Sequence, residues 1–592
     1  MAFFFGTSRQ DTFLGLSTED NLFSFRPGVL QAFDSIVGGT GSFLDTIAFT
    51  SSARVQAGKF DVVRNIEVVR LDVPGIELTV SRQLVETSQT GFLTVEGSSG
   101  SDFVSGQPTN VNRAPVTGSI HFNGNGGADT FNGGEGDDIV TLNRADLGAS
   151  TLNGYLGFDT LDIRGDGLIS AASLANVSSF ETFRLNGAQE LFISQALFDT
   201  GLGSVVGDAG NQVVRADAVT TGGHNIYFNP GDGSDFFFGG AEISIWSSQA
   251  SEIDSTDFFD GGVGGDGDFL QIFGDDQSVS AEALGSFLNI DGFQLFGNNT
   301  SVTLNANQAS TADGYISALY QYGTGSTIDA SAVSGDQFVI DVFSGQSNTY
   351  IGTQGADIIL LNAFNGNFVD GFTGLDQVQL NDQSSPDLTD LGAVVDNVES
   401  IYLQPSTPAV LFLDPSDIPA ITGGGPLIIG RDPNNIDVNT SIESSTAWSV
   451  VATGLSQFDV EQIAGYQGVW YLGNSFTQYE ADGQTVFIEE SINAFVPSFQ
   501  VTTLGDEGYD GGTLADELSD GGGLSLREAI GLASNDDTTF DRITFHSDLS
   551  GGTITLDAFN DFTPELTLSG LLEIDGDIDG DGISDITIDG DG

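Results

Sequence analysis

Gly124-Asn125-Gly126-Gly127-Ala128-Asp129-Thr130-Phe131-Asn132 runs directly into Gly133-Gly134-Glu135-Gly136-Asp137-Asp138-Ile139-Val140-Thr141, two nine-residue units in tandem. The second fits G-G-x-G-x-D-x-U-x, with U a large apolar residue, at every defined position, and the first departs only at Asn125. Each residue type has a physical task. Glycines admit positive φ, the Asp offers a hard oxygen to Ca²⁺, and the apolar residue starts a short strand that faces a core. Two such units, stacked, are expected to make one calcium site from Asp129 and Asp138.

Weaker copies recur. Gly6 to Phe13 and Gly15 to Leu22 place Asp11 and Asp20 nine residues apart, the spacing of Asp129 and Asp138, and single copies place Asp159, Asp235, Asp357 and Asp376 in G-x-G-x-D-x-U or G-x-x-G-x-D-x-U settings. These motifs resemble the repeats-in-toxin family. That resemblance implies a parallel β-roll with Ca²⁺ held between turns by the Asp side chains and glycine-loop carbonyls, and export by a one-step channel. The alternative for any single copy is an ordinary Gly-Asp turn.

Acidic residues outnumber basic ones 83 to 15, for a formal charge of −68. A compact chain so charged repels itself unless cations neutralise it, and it offers no basic face to nucleic acid or an anionic membrane. A halophile-type surface explains the charge but not the nonapeptides. The chain has no Cys, which excludes disulfides and thiolate metal sites, and 45 Phe, which is ample material for cores. Met1-Ala2-Phe3-Phe4-Phe5-Gly6 lacks the basic start of a secretory signal, and no apolar run is long enough to span a membrane.

A longer repeat of about 110 residues sets the architecture. Its first anchor is Asp45, Asp159, Asp268 or Asp376, each leading an alternating strand; its second, 22 or 23 residues on, is Glu67, Glu181, Asp291 or Glu399. The second acid suits two roles, cation ligand or hydrogen-bond partner of a neighbouring rung, and the latter is expected. The expected fold is all-β: calcium-binding β-roll or β-solenoid modules over 1–110, 111–205, 206–325 and 326–424, then an aromatic-rich β segment over 425–500. There Trp448, Tyr466, Trp470, Tyr471, Phe476 and Tyr479 form either a small core, which is favoured, or a sugar-stacking surface.

Residues 501–592 change character. Leu524-Ser525-Leu526-Arg527-Glu528-Ala529-Ile530 opens an amphipathic helix with Leu526, Ala529, Ile530 and Ala533 on one face, and short strands follow. This order resembles the helix-capped start of right-handed parallel β-helices in secreted bacterial surface proteins. Asp577, Asp579, Asp581 and Asp585 surround a turn glycine in D-x-D-x-D-G-x-x-D, a spacing that wraps oxygens about one Ca²⁺. The module strands also resemble surface-layer and adhesin repeats.

The three histidines, His121, His224 and His546, are far apart in sequence, and the chain carries no H-E-x-x-H, G-x-S-x-G or P-loop. The expectation is a secreted, calcium-binding structural or adhesive protein of a bacterial surface or matrix. It is expected to be non-catalytic, with Ca²⁺, further copies of itself or cell-surface polysaccharide as partners, and neither nucleic acid nor membrane insertion. The competing class is the front part of a polysaccharide lyase, epimerase or glycosidase with a β-helix groove.

Overall fold

The computed structural model describes the chain except for residues 27, 42, 109–112, 263–266, 307–317, 335–338, 343–346, 362–366, 382–394, 405–409, 432–440, 445–447, 467–474, 495–497, 510, 512–513, 515–516, 518–521, 535–539, 547–548, 557–565, 569–570, 577, 579–583 and 591–592. It is nearly all-β, with few helices, and is built on a long parallel solenoid of about 15 turns. It divides into two compact units, Met1–Val333 and Ser334–Gly592.

In the first unit one strand per coil joins a long parallel sheet, from Ala2–Phe5 and Asn21–Phe25 through Ile139–Asn143 and Thr160–Arg164 to Gly292–Leu295 and Ala318–Gln321. Shorter strands on the other sides of each coil stack into sheets of their own, such as Glu77–Thr79, Phe103–Ser105, Thr130–Asn132 and Thr151–Asn153. Side-chain alternation explains the interior: in Ser119–Asn123 and Ile139–Asn143 every second residue (Ile120, Phe122, Val140, Leu142) is buried. Register then stacks like on like. Val140 sits beside Phe122 and Leu161 and Phe259 beside Phe287, while Trp246 from another sheet meets both of these rings, with centroids 5.1–6.1 Å apart among the three.

The tandem nonapeptides form a single coil. Ile120 and Asp138, one coil apart, are 18 residues apart in sequence, two units of nine. The coil then lengthens, with steps of 21 from Asp138 to Asp159 and 22 from Asp159 to Glu181. The anchor spacing of 22 or 23 is therefore also one coil: Thr160–Arg164 pairs in register with Thr182–Asn186, and Phe269–Ile272 with Gly292–Leu295.

The second unit begins with the same construction. Val339–Val342, Ile358–Leu361, Gln377–Asn381, Ser400–Gln404 and Leu427–Arg431 pair in parallel. An antiparallel hairpin, Ser475–Ala481 with Gln484–Glu489, then joins Leu427–Arg431 through its second strand. Phe476, Phe487, Val460 and Ile428 form its core, and the Tyr466 hydroxyl donates to Pro426 O at 2.9 Å. Trp470 and Tyr471 lie outside the described residues; Phe476 and Tyr466 serve packing. Leu526–Ala533 is the expected helix. Ser525 and Glu528 cap it reciprocally, and it buries Leu526, Ala529, Ile530 and Ala533 against the parallel strands Ser498–Val501 and Phe540–Phe545. Among the described residues no helix is long and apolar enough to cross a membrane.

Candidate functional site

Each coil of a parallel solenoid turns a corner just before its strand, and there the strand-leading amide has no main-chain carbonyl opposite. A side chain from the next coil accepts it. Asp138 N donates to Asp159 Oδ1 (2.7 Å) and Asp159 N to Glu181 Oε2 (2.7 Å). Ile120 N donates to Asp138 Oδ1 (2.7 Å), Asp102 N to Asp129 Oδ1 (2.9 Å), Gln212 N to Asp235 Oδ1 (2.6 Å) and Asp235 N to Asp257 Oδ1 (3.0 Å). In the second unit Asp357 N donates to Asp376 Oδ1 (2.7 Å) and Asp376 N to Glu399 Oε2 (2.9 Å). Carboxylates that accept amide protons in this way gain charge-assisted hydrogen bonds where an unpaired amide is costly.

The anchor acids occupy these rungs. Besides Glu181 and Glu399, Glu67 Oε2 accepts from Asp45 N (2.9 Å) and Asp291 Oδ2 from Asp268 N (2.9 Å). The hydrogen-bonding role expected of them is the one they have at all four positions.

A second recurring element escaped the sequence. The residue two before each anchor acid adopts positive φ: Asn65 at 53°, Ser179 at 55°, Asn289 at 52° and Asn397 at 51°. Asn is the residue that tolerates this region best after glycine. Its carbonyl turns inward, so that Asn65 O, Ser179 O, Asn289 O and Asn397 O each press on a glycine of the preceding coil, Gly38, Gly154, Gly261 and Gly371. The Oδ2 atoms of Asp45, Asp159, Asp268 and Asp376 press on the same four glycines, where any Cβ would collide with both oxygens. The signal was present as Asn or Ser, an apolar residue, then the acid.

Of the acids expected to bind calcium, Asp138 with Asp159 and Asp357 with Asp376 are brought together on successive coils. Asp129 and Asp138 are not. They lead strands in different sheets, Thr130–Asn132 and Ile139–Asn143, so the tandem pair does not make one site, because two nonapeptides fill one coil and stacked neighbours lie a full coil apart. Asp11 and Asp20 separate likewise. Asp11 takes Thr7 N (2.6 Å) and Thr7 Oγ1 (2.8 Å), while Asp20 Oδ1 takes Leu44 N (3.1 Å), one residue off the rung that Asn21 occupies. Asp577, Asp579 and Asp581 lie outside the described residues, and Asp585 Oδ2 accepts from Ile578 N (2.8 Å). Asp102 and Asp257 are rungs that the nonapeptide pattern did not find.

The rung acids divide by their second oxygen. In Asp138 and Asp357 it accepts a turn amide, Gly134 N or Thr353 N, each at 2.7 Å. In Asp129, Asp159, Asp235 and Asp376 it is buried and meets no donor. Burial pushes these carboxyls up, to about 7 for Asp129 and Asp159, about 8 for Asp235 and about 9 for Asp376, where the Asp357 charge adds to the effect.

Calcium takes six to eight oxygens. Asp159 and Asp376 each bring one free carboxylate oxygen against one main-chain carbonyl, and among the described residues no three Asp, Glu, His or Cys side chains converge. One proton between carboxyl and carbonyl satisfies that pair. Ser, Thr and Asn stand on other rungs, as where Asp129 N donates to Ser150 Oγ (3.1 Å) and Asn348 N to Asn367 Oδ1 (2.9 Å). The rung needs an acceptor more than it needs a charge.

His121 and His224, and the two arginines of the C-terminal segment, Arg527 and Arg542, are engaged in packing or pairing. His121 stacks on Phe92 and His224 on Phe198, both with centroids 3.9 Å apart, and His224 Nε2 is 2.9 Å from Leu202 O. Arg527 grips Asp506 with two bonds of 2.8 and 2.9 Å, and Arg542 reaches Asp575 at 2.6 Å. The chain matches no protein-family model, no curated protein and no solved structure.

Proposed function

We propose that this chain is a non-catalytic scaffold of an extracellular surface or matrix, structural or adhesive, with Ca²⁺ as the counterion its charge requires. The observation that carries the reading is the acid ladder. Its hydrogen bonds run from coil to coil within each unit, so each added coil lengthens the stack, which is the economy of a spacer. A charge of −68 favours uptake of divalent cations, and millimolar extracellular calcium then stabilises the folded form by mass action.

The test is far-UV circular dichroism and light scattering of the chain as Ca²⁺ is raised from chelator to about 10 mM, the range of weak extracellular sites, with Mg²⁺ and NaCl as controls. The proposal expects a gain in thermal stability specific to Ca²⁺, with a rise in scattering where copies associate. Equal rescue by NaCl sinks the calcium part, and hydrolysis or elimination on a panel of acidic polysaccharides sinks the scaffold reading in favour of an enzyme.

A further inference from the structure

Glu242 lies in the turn Gly239-Gly240-Ala241-Glu242 that leads from the strand Phe236–Phe238 into Ile243–Gln249, and it is 1% exposed. It was not among the acids singled out by the nonapeptide pattern, and it leads no rung: the rung residue here is Ser244, whose amide donates to Asp268 Oδ1 at 2.6 Å. One carboxylate oxygen has local work. Oε1 accepts from Gly240 N and from Ser244 Oγ, both at 3.2 Å.

The other oxygen has none. Oε2 is buried without a donor and faces main-chain carbonyls of the preceding coil. A methyl group built on Gly240 would sit 2.5 Å from both Ala216 O and Val219 O and 2.8 Å from Glu242 Oε2, so three oxygens converge on the side of Gly240 where a side chain would collide with them. Both carbonyls already accept one main-chain amide, Val219 N at 2.8 Å and Ala241 N at 3.0 Å, and each keeps a second lone pair. Burial raises the Glu242 carboxyl, and the negative charge of the exposed Asp217 adds to the effect.

We propose that this cradle is a binding site for a hard divalent cation of the calcium class, held by Glu242 Oε2, Ala216 O and Val219 O, with water completing the shell. The chemistry separates it from the rungs. At Asp159 one carboxylate oxygen meets one carbonyl, and a proton satisfies both. Here a proton on Oε2 reaches one carbonyl and leaves the other facing it, whereas a cation engages all three oxygens. Mixed carbonyl and carboxylate donors suit Ca²⁺, which sheds its water more readily than Mg²⁺. The proposal stands apart from the scaffold reading, since it concerns one site and not the charge of the whole chain.

Trp246, buried in the strand that Glu242 precedes, supplies the readout. Tb³⁺ is added to the full chain, its emission is excited through tryptophan, and Ca²⁺ is used to displace it. Glu242→Gln is the decisive variant, because its amide donates into the cradle and replaces the cation without a charge. The expected result is emission in the wild type, displaced by Ca²⁺ in preference to Mg²⁺ and lost in both Glu242→Gln and Trp246→Phe, with Glu242→Gln unfolding in chelator at or above the wild-type temperature. Absence of Trp-sensitised emission in the wild type, or its survival in Glu242→Gln, overturns the site. Gly240→Ala, whose methyl collides with Ala216 O and Val219 O and displaces both carbonyls, gives a second loss that does not depend on residue 242.

Discussion

Asp159 shows what a rung acid does and how to test it. Its Oδ1 holds the Asp138 amide, and its Oδ2 presses with Ser179 O on Gly154. Asp159→Asn keeps the acceptor and turns an NH₂ donor toward Ser179 O, so at pH 8 in chelator it should unfold at or above the wild-type temperature. Asp159→Ala strands a buried amide and should cost about 1–3 kcal/mol in chemical denaturation. Were Asp159 a calcium ligand, Asn would instead abolish a calcium-dependent gain. Ser179 offers a gain: it holds positive φ where Asn65, Asn289 and Asn397 stand two residues before the other three anchor acids, and Ser179→Asn should stabilise by about 0.5–1 kcal/mol.

At the scale of the element, the sequence was readable wherever local chemistry decides the outcome. The helix at Leu526–Ala533 follows from Ser525 and Glu528 placed three apart before an apolar face, and Ser525→Ala should cost about 1 kcal/mol by thermal melting. The anchor pairs announced coil neighbours because a one-coil step repeats wherever a solenoid keeps its cross-section. What stayed hidden was which side of the coil a given Asp occupies. Nonapeptide spacing alone does not say whether nine residues make a whole coil or half of one, and the answer, half, separates Asp129 from Asp138. Rungs filled by Ser150 or Asn367 were invisible to a search for acids, since an acceptor of any kind serves. Glu242 was hidden for another reason: two of its three oxygens are backbone atoms, which carry no sequence signal.

For the whole molecule, the rung acids set the dependence on pH. Asp159, Asp235 and Asp376 titrate near 7, 8 and 9 when folded, against an ordinary carboxylate value of 3.8. The folded state therefore binds more protons than the unfolded state between those values, and stability falls as pH rises through that window. The mutual repulsion of a surplus of acids acts in the same direction. The effect is the reverse of a protein whose carboxylates are held low by ion pairs, and added Ca²⁺ should reduce its slope.

The most direct test of the account is the thermal midpoint of the full chain in chelator from pH 5 to pH 9, wild type beside Asp159→Asn and Asp376→Asn. A ladder that carries protons predicts a midpoint that falls with rising pH and a smaller fall in each variant. A midpoint that rises with pH, or variants that follow the wild-type slope, would contradict it.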